Sequence, residues 1–394
     1  MQTNLLKILL TLAFFLMPFS IKYNNILLTF FILIWFFNGS IIPKINHYKK
    51  HFKKIAAFQL FFFITLLSLV YTSEFEKGLD EVVRIIPLFF LPVILTYTNY
   101  NKNLIIYKSI VYGSLTAIFI CWSNVIYEML INNEPIEYFF RWRHSNAQLT
   151  KIINTHPSYL SLYLLTSLAI LFYYQENIIN NKFIRTIFIV IISLFMFSLL
   201  ARISLIMMLF SYVICIYHKQ KYQYLVFGLL FGIIVFYITK DSWSGKYLKK
   251  RLIEQVDFSK RNIHKDKRLY RLKASYYTFL ENPIIGRGVS AEDIIRRKYY
   301  LQLNEKKAFK ENHNAHNQFM EYLSTYGLLG GLSYLITFTL LLFLSFKQKK
   351  YFIFYTFLIF FIANIFESML ERTNGIVFFS LFISLFLNNY ISKK

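Results

Sequence analysis

The chain is short of charge: Asp, Glu, Lys and Arg make up only 16% of its 394 residues. A water-soluble protein of this length needs far more, so a soluble globular class is excluded. Acids are the scarcer sign, 20 against 44 lysines and arginines, for a net charge of +24. On a soluble protein such basicity points to nucleic acid. Here the lysines sit mainly in short segments between apolar blocks and in one long segment. That pattern fits membrane topology and anionic lipid headgroups, and no nucleic-acid partner is expected. Cysteine is almost lacking: Cys121 and Cys215 both fall inside apolar blocks, so no disulfide framework is implied. No small-x-small cleavage site follows the first apolar segment, Leu5 to Phe19, which has Lys7 ahead of its core. It reads as an uncleaved first span. No internal repeat is found.

What the chain has is apolar length: 56% hydrophobic residues and a mean hydropathy of +0.44. Ile55 to Thr72, Tyr222 to Thr239 and Tyr351 to Phe366 approach the length of about 20 residues that crosses a hydrocarbon core. Only helices or closed barrels satisfy their backbone groups in lipid, and continuous runs without period-2 alternation favour helices. The expected fold is all-α, a polytopic bundle of about twelve transmembrane helices. The spans fall near 4–20, 26–42, 55–72, 84–99, 104–130, 157–174, 183–201, 203–217, 222–239, 318–346, 351–370 and 375–391, with a candidate break in the tenth at Gly327, Gly330 and Gly331.

Charge sets the orientation. With a cytoplasmic N-terminus, the segments holding Lys44, Lys49, Lys50, Lys53 and Lys54, then Lys102, then Lys182 and Arg185, then Lys219 and Lys221, then Lys347, Lys349 and Lys350 all fall inside, as does the tail Lys393 and Lys394. The opposite short loops are poor in Lys and Arg or balance them with acids, as the positive-inside rule requires. The expected organisation is nine N-terminal spans over 1–239, a large outer loop domain over 240–317, and three C-terminal spans over 318–394. Both termini are placed in the cytoplasm. The loop is expected to contain an amphipathic helix, Arg268 to Leu280, closed by Asn282-Pro283, with Gly286 and Gly288 following in a tight turn. A second outer loop, 131–156, carries Arg141, Arg143 and His144 and ends at His156-Pro157.

The most informative stretch lies where the large loop re-enters the membrane: His316-Asn317, nine residues, then Gly327-Leu328-Leu329-Gly330. Here the sequence resembles the O-antigen ligase family of bacterial membrane glycosyltransferases, whose signature meets every fixed position. Two further features resemble the same family. Arg202 stands in a Ser-x-x-Ala-Arg-x-Ser context, Ser198 to Ser204. An arginine precedes Asn-Pro-x-x-Gly-x-Gly at the family's spacing. Arg268 matches that position, Arg271 is one turn further along, and Leu272 stands where the family commonly has Trp, which leaves the choice of arginine open.

The resemblance implies a bacterial inner (cytoplasmic) membrane location with the large outer loop and the active site periplasmic, a membrane glycosyltransferase (GT-C-like) architecture, and an undecaprenyl-diphosphate-linked glycan donor. The acceptor is lipid A-core, another glycan or a protein, and membrane lipids are the remaining partners. Arginine suits the departing diphosphate, because its planar fork makes bidentate contacts and stays charged. No Asp-rich cluster stands out in the outer loops, so basic side chains take the place of a cation, and neither metal nor cofactor is expected. His313 and His316 form His-x-x-His, a metal-like spacing, without a convincing third ligand. His316 is the expected general base for the acceptor hydroxyl, a role worth roughly 10²–10⁴-fold in rate. Arg202, Arg268 and Arg271 are the expected diphosphate ligands, with Asn317, Gly327, Gly330 and His156 in support. Glu367, Glu371 and Arg372 read equally as a cavity-facing charge group or an interfacial anchor. By the resemblance the reaction inverts the anomeric centre. Ligation of O-antigen is favoured over polymerisation and O-linked transfer to protein. A transporter without chemistry is the rival from another class; it needs charged residues near the midplane, whereas these candidates collect at the outer face.

Overall fold

A computed structural model describes residues 2–98, 103–200, 202–219, 246 and 267–391, with only the backbone for Gln2, Thr3, Phe140, Arg202, Ile203 and 213–219. The expected span at 222–239 lies outside these residues, as does most of 240–266. Among the described residues every regular element is helical. The principal helices are α1 (Gln2–Leu16), α2 (Ile21–Phe37), α3 (Ile41–Ala56), α4 (Leu60–Ser68), α5 (Phe75–Thr98), α6 (Asn103–Ile131), α7 (Pro157–Tyr174), α8 (Lys182–Ser198) and α9 (Arg202–Lys219). After the undescribed stretch come α10 (Lys267–Glu281), α11 (Glu292–Gln302), α12 (Lys306–Lys310), α13 (Gln318–Lys347), α14 (Tyr351–Phe366) and α15 (Thr373–Ile391).

Four of these, α6, α7, α13 and α15, are each long and apolar enough to cross a membrane; α2 and α3 pass the same test only if taken together as one span, and they are bent by 105° at the break between them. Others are apolar but short. α1 has 15 residues, α14 has 16 and α8 has 17, against about 20 for a full crossing at 1.5 Å per residue. The expected span 55–72 holds only the nine-residue α4. The helical run is interrupted just before it, at buried Gln59, whose Nε2 donates to Phe89 O at 2.8 Å and whose Oε1 accepts from Tyr48 at 2.8 Å. The basic segment ahead of it, read from sequence as a loop, is helix α3.

The chain forms two compact units. The first comprises Met1–Phe31 and Lys102–Arg261. Within it α1 lies so close to α6 that a Cβ on Gly113 would sit 2.1 Å from Phe15 O. Side-chain hydrogen bonds tie α6 to α7 (Ser114 with Ser167, 2.8 Å) and α8 to α9 (Ser193 with Tyr212, 2.8 Å).

The second unit comprises Ile32–Asn101 and Asn262–Lys394. Helix α15, buried along almost its whole length, packs along α5, and α14 packs on α13. Phe338, Phe360 and Phe379 stack between α13, α14 and α15, with ring centroids 5.1–6.1 Å apart. Helices α10 to α12 share a small core of Ala274, Tyr300 and Ala308, flanked by Tyr299, Leu303 and Phe309. The expected helix at Arg268 to Leu280 appears as α10, one residue longer at each end and stopped by Asn282-Pro283 as proline requires.

Candidate active site

Two sequence motifs meet through backbone. Helix α13 is broken at Gly327, whose φ of 63° and ψ of −153° no helical residue adopts. A break strips the following amides of their carbonyl partners. The turn after α10 replaces them: Leu328 N donates to Pro283 O at 2.8 Å, Leu329 N to Ile284 O at 3.3 Å, and Gly288 N donates to Thr325 O at 3.0 Å. The approach leaves no room for side chains. A Cβ on Gly286 would lie 2.1 Å from Thr325 O, and one on Gly327 would lie 2.6 Å from Ile284 C and O. Gly330 serves the same break, since its Cβ would meet Tyr322 O at 2.3 Å. The loop after α4 holds the turn from another side, with Tyr71 Oη donating to Ile285 O and Thr72 Oγ1 to Val289 O, both at 2.7 Å.

The first half of α13 begins shortly after this site's imidazole. His316 has a left-handed backbone, φ 51°, a conformation that costs a non-glycine residue of order 1 kcal/mol. Its surroundings hold it there. His316 N donates to Asn314 Oδ1 at 3.1 Å, and the preceding Ala315 N donates to Glu321 Oε2 at 2.6 Å. Asn317 caps α13, its Oδ1 accepting from Met320 N at 2.9 Å while its Nδ2 donates to Ile365 O at 3.0 Å at the end of α14. Gln318 bridges onward, accepting from Leu370 N at 2.6 Å.

Glu321 is itself anchored by a buried cation. Arg296 Nη1 lies 2.5 Å from Glu321 Oε1 and its Nη2 lies 2.5 Å from Asp293 Oδ1, with Glu292 at 3.6 Å; the side chains of Arg296 and Glu321 are 1% and 2% exposed. Burial works against the Arg296 charge, but Glu321, Asp293 and Glu292 around it hold it even more firmly protonated than usual. Burial also pushes the Glu292 carboxyl well above its usual range, with Asp293 adding to the shift.

Behind the imidazole stands Glu367, in extended backbone just past α14. Its Oε1 is 2.9 Å from His316 Nδ1, as an ion-pair contact off the line of an aligned hydrogen bond. Both side chains are about four-fifths buried, at 22% and 18% exposure. Nδ1 thus lies next to a carboxylate, which leaves Nε2 as the nitrogen available for proton transfer.

The two candidate arginines of α10 differ in surroundings. Arg268 is exposed, whereas Arg271 is half-buried and its Nε is buried without a hydrogen-bond partner. Burial lowers the Arg271 pKa from its ordinary value; Tyr300, Glu305 and Glu367 oppose that shift and Arg268 adds to it. Burial and then the Arg271 charge depress the His313 imidazole, against the opposing pull of Glu311. Arg271 is therefore within electrostatic reach of both Glu367 and His313, whose ring lies 6.2 Å from that of His316. Glu371, in the turn between α14 and α15, accepts at its Oε1 from Gln318 at 3.4 Å, and its carbonyl accepts from Arg84 at 3.0 Å. Burial, then the charges of Glu321 and Glu81, push its carboxyl up to about 8.

Arg202 and His156 belong to the first unit. Arg202 opens α9, just after Leu200 with its φ of 50°. His156 caps α7, its Nδ1 accepting from Ser158 N at 3.3 Å, with Pro157 at the first helical position. Nearby, His144 is buried against Glu134 at 2.7 Å and Arg143 pairs with the same carboxylate at 3.2 Å. Among the described residues no three His, Cys, Asp or Glu side chains converge as a metal-ligand set.

Sequence reading missed Glu367 as the partner of His316, and it missed the Arg296–Glu321 pair. A carboxylate inside an expected span, as Glu321 is, was the available signal; Arg296 is one of many basic residues in its loop and carried none.

The described residues are all-α, with four or five helices long and apolar enough to cross a membrane. Residues 187–335 match the O-antigen ligase family. The matched stretch includes Arg202, Arg268, Arg271, His316, Asn317, Gly327 and Gly330, and ends before Glu367. Among curated proteins no sequence matches the chain.

Proposed function

We propose that the chain transfers a glycan from an undecaprenyl-diphosphate donor to an acceptor hydroxyl at the periplasmic face, and that the reaction is ligation of O-antigen to lipid A-core. The observation that carries this reading is the His316–Glu367 pair at the mouth of a broken helix, with the Arg271 guanidinium in electrostatic reach. His316 Nε2 takes the proton of the acceptor hydroxyl as its oxygen attacks the anomeric carbon. Glu367 orients the ring and stabilises the imidazolium that forms. The bond from the anomeric carbon to the diphosphate oxygen breaks on the opposite side, so the centre inverts. Undecaprenyl diphosphate leaves with the charge that built up on it. Arg271, with its buried free Nε–H, is the first choice to receive that charge, with Arg268 beside it on α10; Arg202 is proposed as a diphosphate ligand on its sequence context alone. The step is balanced with cationic side chains alone, so transfer is expected to continue in a chelator. The twelve-span topology with cytoplasmic termini, and the GT-C-like arrangement, belong to the same proposal; a reporter fused near residue 260 is expected to be active outside the cytoplasm.

Deletion in the native host, with surface glycans separated by gel, tests the reading. Loss of long chains from lipid A-core while undecaprenyl-linked polymer accumulates is the ligase result. Core bearing a single repeat unit makes the chain a polymerase, loss of glycoprotein alone makes it an O-linked transferase, and an unchanged glycan profile removes the enzymatic reading.

A further inference from the structure

Helix α3 has the construction of a membrane-surface helix. The chain turns by 105° between α2 and α3, so α3 runs across the direction of the apolar α2. The elbow is pinned. Lys44, in the first turn of α3, is buried and donates to Trp35 O at 2.6 Å and Phe36 O at 3.0 Å, with its ammonium 4.8 Å from the centre of the Trp35 ring. A cation thus satisfies two of the carbonyls that the end of α2 leaves open. Ser40 accepts from Ile42 N at the start of α3, so the second helix begins without delay.

The sixteen residues of α3 include no acid, and most of them sort onto three sides, with exposed Ile42 falling among the lysines. Lys44, His47, Tyr48, His51 and Ile55 are buried or half-buried and face the protein. Tyr48 reaches Gln59, and His47 packs edge-on against Tyr97 at 5.6 Å. Ile41, Ile45 and Phe52, spaced four and seven apart, share a second side and are 40%, 45% and 48% exposed. Lys49, Lys50 and Lys53 occupy the third side, exposed and without an ion-pair partner among the described residues. Water solvates the lysines well but not the isoleucines and phenylalanine. A bilayer surface suits both: acyl chains take the apolar side while headgroups meet the lysines.

We infer that α3 lies in the membrane interface and docks on anionic phospholipid headgroups through Lys49, Lys50 and Lys53, with Ile41, Ile45 and Phe52 set into the acyl boundary. Each lysine near an anionic surface contributes enough that three of them shift the docked equilibrium by roughly a hundredfold. The inference is independent of the transfer reaction.

Hydrogen–deuterium exchange of residues 41–56 in the full chain tests it, in nanodiscs of phosphatidylcholine alone and of phosphatidylcholine with phosphatidylglycerol. The expected result is slower exchange with phosphatidylglycerol, by up to that factor, reversed by high salt. The variant K49Q/K50Q/K53Q, with its thermal unfolding checked against the parent, is expected to exchange at the phosphatidylcholine rate in both compositions. Equal exchange of the parent in the two compositions, or a triple variant as protected as the parent, overturns the inference and leaves α3 held by protein contacts alone.

Discussion

Replacing Arg296 by methionine removes the cation from a fully buried pair and leaves Glu321 charged, with 2% of its side chain exposed. Breaking such a pair from one side costs about 3–5 kcal/mol, because the surviving charge keeps its desolvation penalty. Stability alone does not separate a scaffold from a device that sets His316, so the partner is changed as well. In R296M/E321Q the carboxylate of Glu321 is gone too, Asp293 is one-third exposed and keeps its bond from Asn312, and the glutamine carbonyl can still accept the Ala315 amide now held at 2.6 Å by Glu321 Oε2. Most of the lost stability returns, and so does transfer. In R296M/E321L the charge is equally absent but the Ala315 amide has no acceptor, a loss of about 1–3 kcal/mol. That is comparable to what holds a non-glycine residue left-handed, so His316 leaves its φ of 51°. Displacement of a catalytic base by an ångström costs about 10²-fold. The expected signature is a kcat lower by roughly that factor with an unchanged KM for donor, measured on purified protein in nanodiscs beside its thermal unfolding. If R296M/E321L turns over like R296M/E321Q at equal stability, the Arg296–Glu321 pair supports the fold and does not position His316.

Glu367→Gln preserves shape but removes the charge facing the His316 imidazolium; kcat for transfer is expected to fall by about 10²-fold, and unchanged kcat would separate Glu367 from the chemistry. Arg271→Lys is expected to raise KM for the diphosphate donor by about tenfold through loss of the planar fork, while Arg268→Lys has the smaller effect; the reverse order would return the site to Arg268. Gly286→Ala and Gly327→Ala each force a Cβ into backbone at 2.1 Å and 2.6 Å, so both should lower the melting temperature well beyond Gly39→Ala, where φ is also positive but nothing lies within 4 Å. Glu371, with a folded-state pKa of about 8 against an ordinary 4.5, binds its proton more tightly in the folded state. Its contribution to stability is complete below the ordinary value and is lost as pH rises through about 8. Glu371→Gln is expected to abolish that decline in pH-dependent unfolding, and an equally steep decline in the variant would assign it to other groups.

Local patterning was enough to mark the long helices. Continuous apolar runs read as helices, and α6, α7, α13 and α15 lie within a few residues of their expected bounds. The Asn282-Pro283 stop set the end of α10, because proline can neither donate nor continue a helix. The break in α13 was visible as Gly327, the residue type a φ of 63° demands. Helix α3 was missed because its lysines hide a 3.6-residue period that only three distinct environments make sensible. The partners, by contrast, came from tertiary packing. Glu367 stands fifty-one positions beyond His316, Arg296 twenty-five before Glu321, and Pro283 forty-five before the amide it serves at Leu328. Nothing periodic links such positions. Arg268 and Arg271 share one helix and nearly one spacing, and only the packing of α10 distinguishes the exposed guanidinium from the half-buried one. Periodicity records which residues share a face of their own helix; the chemistry of this site depends on which faces meet, and that is fixed by where the chain breaks and folds back.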